Sequence, residues 1–174
     1  MAIEQNVSLS TIVSYSFTLE LGRKRQVENE QPVAFYGKLV GLVTVGQDEI
    51  IKFNDVVTDY GKPYDNSSGL FIAPVAGLYV FSTTIMVEQN FDTHVGIYIN
   101  NHLTTNIKLH GAEHEYDTMS QTVIYYLRVR DTVSIRHYDG TKSIHGDYTT
   151  FMGFLLYEDF GDLSGTSSVN TIIG

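Results

Sequence analysis

The sequence predicts an all-β sandwich. The stretch from Phe53 to Phe81 spaces Phe53, Tyr64, Phe71, Tyr79 and Phe81 between clusters of turn-forming residues. Short alternating runs then follow one another at turn-sized intervals. No segment longer than about ten residues keeps a clean helical period. Many short strands with regular turns belong to a sandwich or a jelly roll.

In chain order, residues 8–21 come first. Thr11, Val13, Tyr15, Phe17, Leu19 and Leu21 fall on one face of a period-two pattern. A helical stripe through the same residues would include Ser10 and Ser14, so a strand is the better reading. Residues 22–32 are polar, end in Pro32 and read as a linker. The domain proper starts at Val33. Gly46 to Glu49 is a predicted turn, and residues 50–53 a predicted short strand. Gly77, after Pro74, reads as part of a chain reversal. Further strands are predicted at 78–87, 94–99, 103–109, 122–127, 132–138 and 151–157. Asn100-Asn101, His110-Gly111, Arg130-Asp131 and Asp139-Gly140 separate them. The expected layout is an extension at 1–31 (a strand plus linker), a domain at 32–160 and a loosely ordered tail at 161–174.

Composition narrows the function. A length of 174 residues suits one domain with short extensions. A net charge of −9 repels phosphate backbones, which argues against a nucleic-acid partner. The basic run Arg23-Lys24-Arg25 reads as a solvated turn. With no cysteine, disulfides, thiolate catalysis and Cys-based zinc sites are excluded. No apolar run has the length of a transmembrane helix, so no membrane insertion is expected. The first residues lack the charged start and apolar core of a signal peptide. Asn6-Val7-Ser8 and Asn66-Ser67-Ser68 fit the N-glycosylation acceptor pattern. Tyrosine, with 12 copies, is favoured on recognition surfaces because it packs while presenting a hydroxyl.

Phe53, Asp59, Tyr64, Phe71, Gly77, Tyr79 and Phe81 stand at the signature spacing of a known family. With Gly69 and Pro74 they resemble the globular head domain of complement C1q and its relatives. The closing Phe151 to Leu156 run looks like that family's final strand, and Leu127 to Val133 like one of its turns. The resemblance covers residues 33–157. Thr83 stands where the family has an aromatic, Arg130 where it has a glycine, and no collagen stalk precedes the domain. The resemblance implies a ten-stranded jelly roll, related to tumour necrosis factor, that forms homotrimers. The residues 8–21 strand would be additional to that fold.

Candidate chemistry is sparse. His110, Glu113 and His114 match a zinc-peptidase pattern that needs a helix. Here the motif contains Gly111 and lies between predicted strands, so it reads as a loop. No Gly-x-Ser-x-Gly elbow, phosphate-binding loop or dinucleotide fingerprint is present, and no enzyme is expected. Some members of the resembled family bind calcium near the trimer axis, and Asp117 resembles one of the acids they use. The second acid falls near Lys108–Leu109 and is missing. Calcium wants six to eight oxygens, so Asp117 is a weak candidate.

The stretch from Ser134 to Tyr148 mixes cations, aromatics and hydrogen-bonding groups. An anionic sugar needs a cation for its carboxylate, such as Arg136 or Lys142, and a ring to stack on, such as Tyr138 or Tyr148. His145 adds a hydrogen-bonding group. Alternation puts Ser134, Arg136 and Tyr138 on one face, with Val133, Ile135 and His137 on the other. An ordinary polar loop remains the alternative. The expected function is a secreted, homotrimeric, lectin-like recognition protein of innate immunity that binds glycans, sialylated ones included. Stalkless heads of this kind are similar to invertebrate lectins. The alternative is an extracellular protein-binding, cytokine-like or structural assembly module without sugar specificity.

Overall fold

The structure is a computed structural model that describes residues 32–113, 115–140 and 143–159. The expected strand at 8–21, Asn6, His114, Lys142 and the tail at 161–174 lie outside the described residues.

Two five-stranded antiparallel sheets face each other, which is the ten-stranded sandwich expected. The first contains β1 (Ala34–Lys38), β3 (Asp55–Tyr60), β6 (Gly77–Val87), β9 (Asp117–Leu127) and β12 (Thr150–Glu158), in the order β3-β1-β12-β6-β9. The second contains β4 (Tyr64–Asp65), β5 (Leu70–Ile72), β7 (Asp92–Ile99), β8 (His102–His110) and β10 (Thr132–Gly140), in the order β4-β5-β10-β7-β8. A small ribbon pairs β2 (Leu42–Thr44) with β11 (Ser143–His145). A 3-10 turn at Gly146–Tyr148 follows β11.

The predicted strands run one to five residues longer at their ends than their alternation suggested. The predicted strand at 50–53 is a correction. Only Ile50 forms a bridge, to Arg136, and residues 51–54 lie outside any strand. The Ile51 amide still bonds the Ile135 carbonyl at 2.8 Å, so this segment fills a ladder position without strand geometry. β3 and β11 carry no clean alternation and were not anticipated.

The signature aromatics form the core. Phe53, Phe71, Tyr79 and Phe81 are fully buried, and Tyr64 nearly so. The Phe35 and Tyr64 rings stack at 4.7 Å, and Phe71 meets Phe81 edge-on at 4.9 Å. Their hydroxyls find partners, as buried tyrosines require. The Tyr64 hydroxyl accepts from the Phe53 amide at 3.0 Å, and the Tyr79 hydroxyl donates to the Val75 carbonyl at 2.8 Å. Gly153 is fixed by packing: a Cβ there would stand 2.5 Å from the Phe81 ring. Thr83, at the usual aromatic position, is buried and donates its hydroxyl to the Thr150 carbonyl at 2.9 Å.

Strand β6 alternates strictly, so its odd residues enter the core and its even residues face away. Register then builds the outer face of the first sheet row by row. One row runs Tyr60, Ala34, Phe154, Val80 and Ile124. The next runs Thr58, Tyr36, Met152, Ser82 and Thr122, with Ser82 and Thr122 hydroxyls 2.8 Å apart. Leu78 pairs with Tyr126 beyond the apolar row. Tyr60, Ile124 and Tyr126 are each more than half exposed. This face is apolar at one end and polar at the other, where Lys38 pairs with Asp55 at 3.1 Å and the Thr84 and Ser120 hydroxyls lie 2.8 Å apart, and no described residue covers its apolar end.

Candidate functional site

The outer face of the second sheet has a different chemistry. Register places Ser134, Tyr98 and Leu103 in one row, and Arg136, Gly96 and Asn106 in the next. Asp139, His94 and Lys108 form a third. Val133, Ile135 and His137 point into the core, as alternation predicts.

Arg136 is held by three neighbours. Its guanidinium carbon lies 4.8 Å from the centroid of the Tyr98 ring. Its Nε donates to the Ser134 hydroxyl at 3.0 Å, and its Nη2 donates to the Asn101 side-chain carbonyl. Ser134 is on the expected face, but Arg136 and its neighbours cover it almost completely. The remaining guanidinium N–H groups have no partner among the described residues and can receive a carboxylate in the bidentate geometry that arginine favours. Gly96 makes this possible. A Cβ there would stand 2.2 Å from Leu103 Cδ1 and 3.0 Å from Tyr98 Cε2, so these side chains lean over the glycine beside Arg136.

Tyr138 sits at a register shift. His137 pairs with Val95 and Asp139 with His94, which leaves Tyr138 as the extra residue of a bulge. Its ring lies 5.7 Å from that of His94. His94 Nδ1 in turn lies 3.3 Å from the Asp139 carboxylate. Burial raises the Tyr138 hydroxyl above the usual tyrosine value, with Tyr98 and Asp139 adding to the shift, so the phenol stays a neutral donor. The Tyr138 carbonyl accepts from Gln47 Nε2, and the His137 amide bonds the Glu49 carbonyl at 3.1 Å. The turn at residues 46–49 is therefore clamped to the strand that carries both Arg136 and Tyr138.

His145 and Tyr148 form a second group. The His145 ring lies 5.4 Å from Tyr148 and 5.8 Å from Tyr116. Tyr116 and Tyr148 are at least half exposed, and so are Val40 and Leu42 on the segment that pairs with β11. No hydrogen bond, ion pair or ring contact among the described residues joins this group to Arg136 and Tyr138. The one stretch expected to hold the site thus supplies two clusters. Tyr98, Asn101 and His94 were not anticipated, because only cross-strand register brings them beside Arg136.

Asp117 opens β9, and its Oδ2 accepts from the His110 amide at 2.7 Å. His110 Nδ1 contacts the Asp92 carboxylate. Both acids are thus tied to one histidine that closes β8. No group of three or more His, Cys, Asp or Glu among the described residues is placed to hold a metal. Calcium takes six to eight oxygen ligands, and Asp117 offers one carboxylate oxygen outside the His110 bond. His110 ends a strand and Gly111 to Glu113 form a loop, so the described part of the His-x-x-Glu-His motif has no helix.

The two opposed antiparallel sheets, their non-consecutive strand order and the aromatic core define a jelly-roll domain. Residues 34–156 match the family described as "C1q domain". The chain belongs to that family. It is 31% identical over 137 residues to Complement C1q tumor necrosis factor-related protein 3 of Mus musculus, covering 76% of this chain and 54% of that protein. It is 28% identical over 129 residues to Heavy metal-binding protein HIP of Mytilus edulis, covering 72% of this chain and 61% of that protein. The match thus spans little more than half the length of these curated relatives. Among solved structures, the globular domain of zebrafish complement 1qA protein is similar, with a TM-score of 0.62 and 20% identity. That likeness covers 75% of this chain and all of the zebrafish domain.

Proposed function

We propose that this chain is an extracellular, homotrimeric recognition domain that binds anionic glycans, sialylated ones included, and serves innate immunity. The observation that carries the reading is the Arg136 guanidinium. It is stacked on Tyr98, oriented by Ser134 and Asn101, and keeps N–H groups unpaired among the described residues. A sugar carboxylate would take those groups. Tyr138, His94 and Asn106 stand around it for stacking and for hydroxyls. Nothing here requires bond-breaking chemistry, and the C1q domain is a binding module. The trimer would form through the apolar end of the outer face of the first sheet, since the exposed Tyr60, Ile124 and Tyr126 side chains are costly to leave in water. Three weak sites on one rigid assembly gain strength by avidity.

A glycan array tests the sugar reading. Binding should favour sialylated over neutral glycans, and Arg136→Ala or Tyr138→Ala should reduce it. A blank array would remove the reading. The exposed group of Val40, Leu42, Tyr116 and Tyr148 favours a second reading, in which this end of the sandwich contacts a protein receptor. That reading predicts receptor capture that survives enzymatic removal of sugars.

A further inference from the structure

We propose that Asn66 is an N-glycosylation site, and that its oligosaccharide stands on the β4–β5 turn at the edge of the second sheet. Asn66 occupies the first position of the acceptor triplet Asn66-Ser67-Ser68. The inference rests on the extracellular placement proposed above, because the modification occurs in the secretory route.

The fold does not account for an asparagine at this position. Other turn asparagines here serve the backbone. Asn100 has φ 49°, donates to Asp131 at 2.8 Å and accepts from the Thr132 amide at 2.9 Å. Asn101 has φ 68° and holds Arg136. Asn66 does neither. Its φ is not positive, because Gly69, at φ 76°, supplies the left-handed residue of the turn. Its side chain is exposed and makes no hydrogen bond among the described residues. The turn is instead organised by Asp65. That carboxylate accepts from the Ser67 amide at 2.9 Å, the Ser67 hydroxyl at 2.7 Å and the Ser68 hydroxyl at 2.7 Å. The Asp65 carbonyl accepts from the Gly69 amide at 2.8 Å. Asn66 therefore projects from a turn that is complete without it.

The chemistry needs two groups of the triplet. The Asn66 amide nitrogen attacks C1 of an oligosaccharide carried on a lipid pyrophosphate, with the transferring enzyme taking the displaced amide proton. The C1–N bond forms, the C1–O bond to the pyrophosphate breaks, and the lipid pyrophosphate leaves. The Ser68 hydroxyl is the element the transferase recognises. Transfer precedes closure of the turn, because the folded turn uses that hydroxyl on Asp65. β4 and β5 are two and three residues long, and Asn66 is exposed on the turn between them.

The test secretes the full chain from cultured animal cells behind a leader peptide. The purified protein is treated with peptide-N-glycosidase in heavy-oxygen water, and its peptides are weighed. Asn66 should carry the heavy-oxygen deamidation mark. Asn66→Gln and Ser68→Ala should each remove one glycan increment from the intact mass, while Ser68→Thr retains it. Asn66→Gln should melt like the parent after deglycosylation, since Asn66 holds nothing among the described residues. Recovery of the secreted protein with Asn66 unmodified would overturn the proposal. Sugar binding at Arg136 is read separately on the array, so either reading can fail without the other.

Discussion

The Arg136 guanidinium carbon lies 4.8 Å from the centroid of the Tyr98 ring, across the boundary between β10 and β7. A ring under an exposed cation is worth about 0.5–1 kcal/mol. Tyr98→Ala should therefore weaken the proposed binding of sialylated sugars several-fold, and Tyr98→Phe should retain most of it. Titration calorimetry would show this. Equal affinities for Tyr98→Ala and the parent would mean that the ring does not position the cation.

Tyr64 links the core to the backbone. Its hydroxyl receives the Phe53 amide in a buried setting. Tyr64→Phe leaves that amide without a partner and should cost about 1–3 kcal/mol in urea unfolding. Burial also pushes the Tyr64 hydroxyl from 10.0 up to about 12, against the Phe53 hydrogen bond and with a contribution from Asp65. The unfolded chain ionises this group first as pH rises. Its stabilising effect is thus complete below pH 10 and is lost between pH 10 and about 12. Tyr64→Phe should flatten the melting curve over that window.

Arg130 has φ 72°, the left-handed region, at the position where the resembled family has glycine. Its amide bonds the Ala73 carbonyl at 2.8 Å, so the backbone cannot relax without losing that bond. Arg130→Gly should stabilise the domain by about 1 kcal/mol. A lower midpoint in denaturant would show that the arginine side chain contributes something the backbone argument omits.

Ile124 stands at the end of the apolar row on the first sheet. Ile124→Asp should convert a species near three chains in mass into a monomer by light scattering, with its strands intact by circular dichroism. A monomeric parent at micromolar concentration would dismiss the assembly face altogether.

Asp117 is tied to the His110 amide, and Asp92 to the His110 ring. Melting temperatures with calcium and with a chelator should therefore coincide. A rise with calcium would show that Asp117 exchanges its amide partner for a cation.

The fold was legible because the aromatic spacing encodes the core. Phe53, Phe71, Tyr79 and Phe81 are fully buried, and the strict alternation of β6 follows from its sequence. Short strands were not legible. β3 gains its place by pairing with β1 across a register shift, and β11 by pairing with β2. Neither pairing leaves a periodic trace. Of the candidate site, Arg136 and Tyr138 could be proposed from residue type. Tyr98 and Asn101 could not, because they reach Arg136 through a strand pairing and a turn far along the chain. His145 and Tyr148 were grouped with Arg136 by proximity in sequence, yet β11 leaves the sheet that carries Arg136 and pairs with β2.

The Arg136 face and the Ile124 face lie on opposite sheets of one sandwich. If three copies close around the apolar faces, their arginines diverge, each turned away from the shared axis. Such an assembly cannot wrap one small sugar with all three subunits. It can bridge separate particles or neighbouring chains on a coated surface. Its behaviour toward multivalent targets would then be clumping and cross-linking, with free monosaccharide a poor competitor.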